Sequence, residues 1–165
     1  MFTWLQPNLI LNSVTDITPE LLQKHGIRSL LLDVDSTLKR YSATKIPPEI
    51  ARWIDSMREN GVLFCILSNG LEHRIRPLAA QMQLPYVAQA LKPSPFGCRK
   101  AMKTMEFDPK ATAIVGDQVF ADILAGKFAK IFTILVTPIH PEEEHWYTRI
   151  KRPFEKWVVK HRGTK

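Results

Sequence analysis

Two cysteines in 165 residues, Cys65 and Cys98, are too few for a disulfide framework. Cys65 sits inside an apolar run and reads as a small core residue in a reducing compartment, and nothing in sequence near Cys98 activates its thiol. No stretch approaches the ~20 consecutive apolar residues that span a bilayer. The first ten residues lack a basic segment, a long apolar segment and a small-residue cleavage site, so a cytoplasmic protein is the expectation. Neither a Gly-x-Gly-x-x-Gly turn nor a glycine-rich phosphate loop with its lysine occurs, and no nucleotide cofactor is implied. Internal repeats, linkers and low-complexity blocks are also missing, which leaves one domain over 1–165.

The sequence does carry a core and a charged tail. Hydrophobic residues make up 45% of the chain, close to a soluble average. A chain of this length buries roughly two-thirds of its extended surface and needs no staples. The net charge is +7, and residues 149–165 hold seven basic side chains against Glu155 alone. The excess charge therefore belongs to the end of the chain, where it attracts anionic partners.

Continuous apolar runs at Ser29–Val34, Val62–Leu67, Ala111–Val115 and Ile131–Val136, with a short segment at Val87–Leu91, read as strands of a parallel sheet buried on both faces. Helical patterns lie between them. One follows Pro47-Pro48, with Ile50, Trp53, Ile54 and Met57 on a stripe and Asn60-Gly61 as its stop. Others cover Glu72–Gln83, delayed or kinked by Pro77, Phe96–Met105, and Val119–Ala125 closed by Gly126. The alternation predicts an α/β fold: a three-layer, Rossmann-like, mostly parallel sheet with helices on both faces, right-handed crossovers and no cap domain.

In such a sheet the site lies beyond the carboxyl ends of the strands. Those ends carry Asp33, Asp35, Ser36 and Thr37, then Ser68 and Asn69, then Lys92, then Asp117 and Gln118 with Asp122 one turn on. Each alone is a common turn or helix cap. Together they supply carboxylates that repel one another without a counter-ion, a lysine, and oxygen donors suited to magnesium and phosphate. If the strand continues past Asp33, Asp33 and Asp35 share a face; if the chain turns at Val34, one attacks while the other delivers a proton.

Asp33-Val34-Asp35-Ser36-Thr37, Ser68, Lys92 and Gly116–Asp122 resemble, in order and spacing, the four motifs of the haloacid-dehalogenase-like phosphatases. Pro7-Asn8, Asp16-Ile17, Gly26-Ile27, Leu31–Asp35, Leu91-Lys92-Pro93, Gly116-Asp117-Gln118 and Thr133–Val136 narrow the resemblance to a capless group, subclass IIIA. That group covers the bacterial YqeG proteins and the mitochondrial and plastid phosphatidylglycerophosphate phosphatases. The resemblance implies Asp33 as nucleophile and Asp35 as acid and then base. It implies Ser68, Asn69 and Lys92 as phosphate holders. Magnesium would sit on Asp33, the backbone carbonyl of Asp35, and Asp117, with Asp122, Thr37 and Gln118 as supports. It also implies a phospholipid phosphate as substrate, with a soluble or protein-bound phosphate, or an adaptor role in ribosome assembly, as alternatives. Ser36, Gly70, Ala121 and Lys130 depart from the group, which usually has asparagine, asparagine, threonine and glycine there.

The segment at 141–165 carries Trp146, Ile150, Pro153, Phe154, Trp157 and Val158 at helical spacing, with Arg149, Arg152, Lys156 and Lys160 between them. Two readings stand. The aromatic stripe packs on the sheet while the basic face is solvated, or the segment lies on an anionic membrane surface and attaches the protein to its inner face. Pro153 is expected to break or restart the helix. Phe2, Trp4 and Leu5 form a small apolar cluster that covers the sheet edge or dips into lipid. Nucleic acid or the ribosome is a weaker partner, because the basic residues are confined to the tail. His140 and His145 flank Glu142–Glu144 and read as a solvated turn rather than a metal site.

Overall fold

A computed structural model describes residues 3–144 and 146–160. Six strands form one fully parallel sheet: β1 (Leu9–Leu11), β2 (Ser29–Leu32), β3 (Leu63–Leu67), β4 (Tyr86–Val87), β5 (Thr112–Gly116) and β6 (Phe132–Val136), in the order β1-β6-β5-β2-β3-β4. The helices are α1 (Pro19–Lys24), α2 (Pro48–Glu59), α3 (Glu72–Met82), α4 (Phe96–Met105), α5 (Leu124–Ala129) and α6 (Trp146–Lys160). Among the described residues, no helix is long and apolar enough to cross a membrane.

Alternate residues of the central strands feed two separate cores. Leu30, Leu32, Phe64, Ile66, Ala113 and Val115 pack with Ile50, Ile54 and Met57 of α2 and Ile75, Leu78 and Met82 of α3. Leu31, Cys65, Leu67 and Ile114 pack with Cys98, Ala101 and Met102 of α4 and Ala125 and Ala129 of α5. The side-chain period of two along a strand makes this sorting automatic, and it yields the expected three layers. Trp53 is core, as its stripe predicts: its indole N–H donates to the Ile17 carbonyl at 2.9 Å and its ring meets Phe64 edge-on. Both cysteines are buried, which pushes the Cys65 thiol up to about 12 and the Cys98 thiol up to about 11.

The structure corrects several boundaries. β1 and α1 lack the length to announce themselves; β1 is held to β6 partly by Asn8, whose Oδ1 accepts from the Thr133 hydroxyl at 2.8 Å and the Thr133 N–H at 3.0 Å. β2 stops at Leu32, and the Val34 carbonyl instead accepts turn bonds from Thr37 N at 3.2 Å and Leu38 N at 2.9 Å. The Val87–Leu91 segment leaves the sheet after Val87, where Gln89 and Leu91 adopt positive φ. Pro77 and Pro153 both lie inside continuous helices. Of the amino-terminal cluster, Leu5 is buried and exposed Trp4 rests on Phe128; Phe2, like His145, lies outside the described residues.

Gly126 does not close a helix. Val119–Ile123 forms a π-helical turn that runs straight into α5, with Gly126 in the middle. An added Cβ at Gly126 would come within 2.5 Å of Ile114 and 2.6 Å of Thr133, so glycine is there for close helix–sheet approach. The helix ends at Lys130, which is left-handed at φ 61°. A side chain with a Cβ pays for that conformation, whereas glycine adopts it freely. Lys130→Gly should therefore stabilise the protein by about 1 kcal/mol. The check is a urea midpoint that rises with an unchanged m-value.

Candidate active site

The register of the sheet assembles the site. Leu32 lies level with Val115 on one side and Ile66 on the other, so Asp33 emerges between the ends of β5 and β3. Its N–H still donates to the Val115 carbonyl at 2.9 Å, which fixes the first residue past the strand. Lys92 arrives from the loop after β4. Asn69 holds it there through two reciprocal bonds: Asn69 Nδ2 donates to the Lys92 carbonyl at 2.9 Å, and Lys92 N–H donates to Asn69 Oδ1 at 2.8 Å.

Lys92 is buried and spends all three ammonium protons inside the protein. Nζ donates to Asp33 Oδ1 at 2.7 Å, to Asp122 Oδ1 at 2.6 Å and to the Leu67 carbonyl at 3.0 Å. Burial opposes its charge, but the Asp122 and Asp33 carboxylates outweigh burial and hold its pKa above the ordinary lysine value. Asp122 is itself fixed by Gln118 N–H, which donates to Oδ2 at 3.1 Å. An added Cβ at Gly116 would fall 2.1 Å from Asp122 Cγ, so only glycine lets this carboxylate lie against β5.

Asp33, Asp117 and Asp122 each bring a carboxylate oxygen within 4.8 Å of the others, and all three are buried. The Thr37 hydroxyl has one proton and faces two of them, Asp33 Oδ2 at 3.2 Å and Asp117 Oδ1 at 3.0 Å. Burial pushes Asp33 up to about 7, with Lys92 opposing the rise. Burial also lifts Asp117 well above the usual carboxylate range; Asp33 and Asp122 add to the rise and Arg152 opposes it. A cluster of hard oxygen donors with too few cations can coordinate a divalent metal, and it suits magnesium chemically.

A cleft of about 250 Å³ opens beside this cluster, and Asp33, Asp35, Ser68, Asn69, Lys92 and Gln118 all line it. The Ser68 hydroxyl accepts from Gly70 N–H at 3.1 Å. The turn after β2 separates Asp35 from the cluster: its Oδ1 accepts from Lys39 Nζ and from Arg74 Nη2, each at 2.8 Å. Ser36 is left-handed at φ 63°, a conformation that asparagine adopts more readily, and its hydroxyl is buried with no partner among the described residues. Ser36, Gly70 and Ala121 also line the cleft, so three of the four departures from the resembled group fall on its wall and Lys130 does not.

Arg152 of α6 is the residue that motif reasoning missed. Its guanidinium pairs with the Asp117 carboxylate and Glu144, and it donates from Nη1 to the Asp117 carbonyl at 2.6 Å and to Glu155 Oε2 at 3.1 Å. Glu144 and Thr148 also line the cleft. Nothing local distinguishes Arg152 from the other basic residues of the tail. Only its position on the inner face of α6 does.

The sequence model of the haloacid dehalogenase-like hydrolases matches residues 7–130, which hold every one of these acidic and basic groups except Glu144, Arg152 and Glu155. The chain belongs to that family. It is 28% identical to the probable phosphatase YqeG of Bacillus subtilis over 93% of this chain and 88% of that protein. Two solved structures share the fold. An uncharacterized protein from Listeria monocytogenes superposes with a TM-score of 0.57 at 13% identity, covering 81% of this chain and 99% of the other. The cobalt-bound deoxy-D-mannose-octulosonate 8-phosphate phosphatase of Haemophilus influenzae gives 0.55 at 18% identity, over 84% and 91%.

The raised Asp33 pKa sets a stability prediction for the metal-free hydrolase. A folded pKa near 7, above the unfolded value near 4, contributes stability that is complete below about pH 4 and lost as pH rises through about 7. With chelator present, the melting temperature of Asp33→Asn should fall less than that of the wild type between about pH 5 and about pH 8. Parallel curves would contradict a buried, proton-retaining Asp33.

Proposed function

We propose that this hydrolase is a magnesium-dependent phosphomonoester phosphatase, and that its substrate is phosphatidylglycerophosphate, converted to phosphatidylglycerol. The observation that carries the reaction class is the buried set of Asp33, Lys92, Asp117 and Asp122 at the ends of parallel strands. The resemblance in its motifs supports the lipid, as does a cleft with no cap domain over it among the described residues, which suits a phosphate presented on something large. The name of the Bacillus subtilis relative, a probable phosphatase, supports the chemistry.

Asp33, the backbone carbonyl of Asp35, and Asp117 would hold the magnesium, with Asp122 beside them. When bound, the ion neutralises the carboxylates and the phosphoryl oxygens. Lys92 holds Asp33 in place and offers positive charge to the phosphate, while Ser68 and Asn69, which line the cleft, would face the phosphoryl oxygens. A carboxylate oxygen of Asp33 attacks phosphorus and the bond to the leaving alkoxide breaks. Asp35, on the turn and clear of the cluster, enters the step protonated and gives the alkoxide its proton from the oxygen that Lys39 and Arg74 do not hold. It then takes a proton from water, whose oxygen attacks phosphorus as the bond to Asp33 breaks, releasing inorganic phosphate and restoring both carboxyl groups.

The test is phosphate release from phosphatidylglycerophosphate in mixed micelles, with and without magnesium, beside a panel of soluble phosphomonoesters. Release should require magnesium, favour the lipid and vanish in Asp33→Asn. Asp35→Asn should lower it by about a hundred- to ten-thousandfold, the usual worth of a proton-transfer group. Release from soluble esters alone removes the lipid and keeps the chemistry. No release from any ester by folded protein with magnesium removes both.

A further inference from the structure

An amphipathic helix at a protein surface normally turns its apolar stripe inward and its charges to water. Among the described side chains of α6 the order is reversed. Its inner face presents Thr148, Arg152 and Glu155, with Thr148 and Glu155 buried and Arg152 gripping Asp117 and Glu144. Glu155 also accepts from Phe120 N–H at 3.2 Å. Its outer face presents Trp146, Ile150 and Trp157, exposed by 71%, 66% and 46%, together with exposed Pro153. At 3.6 residues per turn these four positions fall within roughly 60° of one another, a narrow apolar ridge. Arg149 and Lys160 are exposed along one side of it.

A second pair of exposed apolar residues lies beside the same cleft. Leu71 and Leu91, 53% and 64% exposed, line a depression shared with Asn69 and Lys92, both of which line the cleft itself. Exposed apolar surface of this kind marks an interaction site. The choice of occupant follows from chemistry. Tryptophans favour the headgroup level of a bilayer, where an apolar ring and a polar N–H both find company. Arginine and lysine beside them match negative headgroups, and residues 149–165 carry seven basic side chains against one acidic.

We propose that the outer face of α6 docks on an anionic bilayer surface. The ion pairs of Arg152 fix the helix to the cleft wall, so docking holds the cleft within about a helix diameter, roughly 10 Å, of the surface. That the cleft then meets a lipid-borne phosphate rests on the phosphatase reading; the docking itself does not.

The test uses the full chain without magnesium or substrate, so that it reads docking alone. Vesicles of phosphatidylcholine, and of phosphatidylcholine mixed with phosphatidylglycerol, are sedimented with wild type, with Trp146→Ser/Trp157→Ser and with Arg149→Glu/Lys160→Glu. Wild type should pellet with the anionic vesicles and be released by salt. The tryptophan variant should bind about tenfold more weakly. The charge variant should bind at least about twenty-five-fold more weakly, near fivefold for each basic residue lost, with the two added carboxylates weakening it further. Both should remain folded at the assay temperature, since all four side chains reach the surface, and a melting curve checks this. Wild type left in the supernatant, or both variants pelleting equally well, overturns the proposal. So does a concentration-dependent dimer that the tryptophan variant loses, because a second copy then occupies the ridge. A protein that docks but releases no phosphate from any ester separates this proposal from the failure of the phosphatase reading.

Discussion

The ammonium of Lys92 is the constraint on which the rest of the site depends. It sits in a region from which water is removed, and a buried charge is tolerated only when its bonds are complete. Its three protons go to Asp33, Asp122 and the Leu67 carbonyl, which ties together the ends of β2 and β3 and the turn after β5. Removing either carboxylate would strand part of the charge. The lysine thus holds together an arrangement that the carboxylates, left alone, would push apart.

The same charge balance explains why α6 is an inside-out helix. Asp117 shares the one Thr37 proton with Asp33, which leaves its outer oxygen and its carbonyl in need of donors. Arg152 supplies both, and Glu144 and Glu155 brace the guanidinium in turn. Burial works against the Arg152 charge, yet the bonds it donates to the Glu144 and Asp117 carboxylates hold its pKa above the ordinary arginine value. With Thr148, Arg152 and Glu155 claimed by the protein, the opposite stripe of Trp146, Ile150, Pro153 and Trp157 is left for the surface. Of the stripe expected to pack on the sheet, Trp146 and Ile150 are exposed and Trp157 is half-exposed, while the side chains of Phe154 and Val158 lie outside the described residues.

Strand and helix placement followed from local rules wherever a segment was long and one-sided. α4 runs over Phe96–Met105 and α2 ends before Asn60-Gly61, both as their patterns predict. Errors gathered where a local signal had two meanings. Gly126 looks like a helix stop, but its lack of a Cβ serves packing on Ile114 and Thr133. Lys130 looks like an interior residue and ends the helix in a left-handed conformation. Asp33 and Asp35 promised two geometries, and the turn at Val34 selected the one that separates them. Thr37 and Asp122 were legible as supports, because the motifs that contain them mark the strand ends.

By itself the sequence determined the layers, the parallel sheet and the side on which the acidic and basic groups collect. Those depend on apolar period and on the rule that loops at carboxyl ends of parallel strands share one edge. It did not determine which charges touch. Arg152 lies 35 residues from Asp117 along the chain, and its partner was chosen by how α6 crosses the sheet edge. The same crossing decided which stripe of α6 faces outward. Pattern fixes which residues share a helix face; only packing energy, summed over the whole fold, decides where that face points.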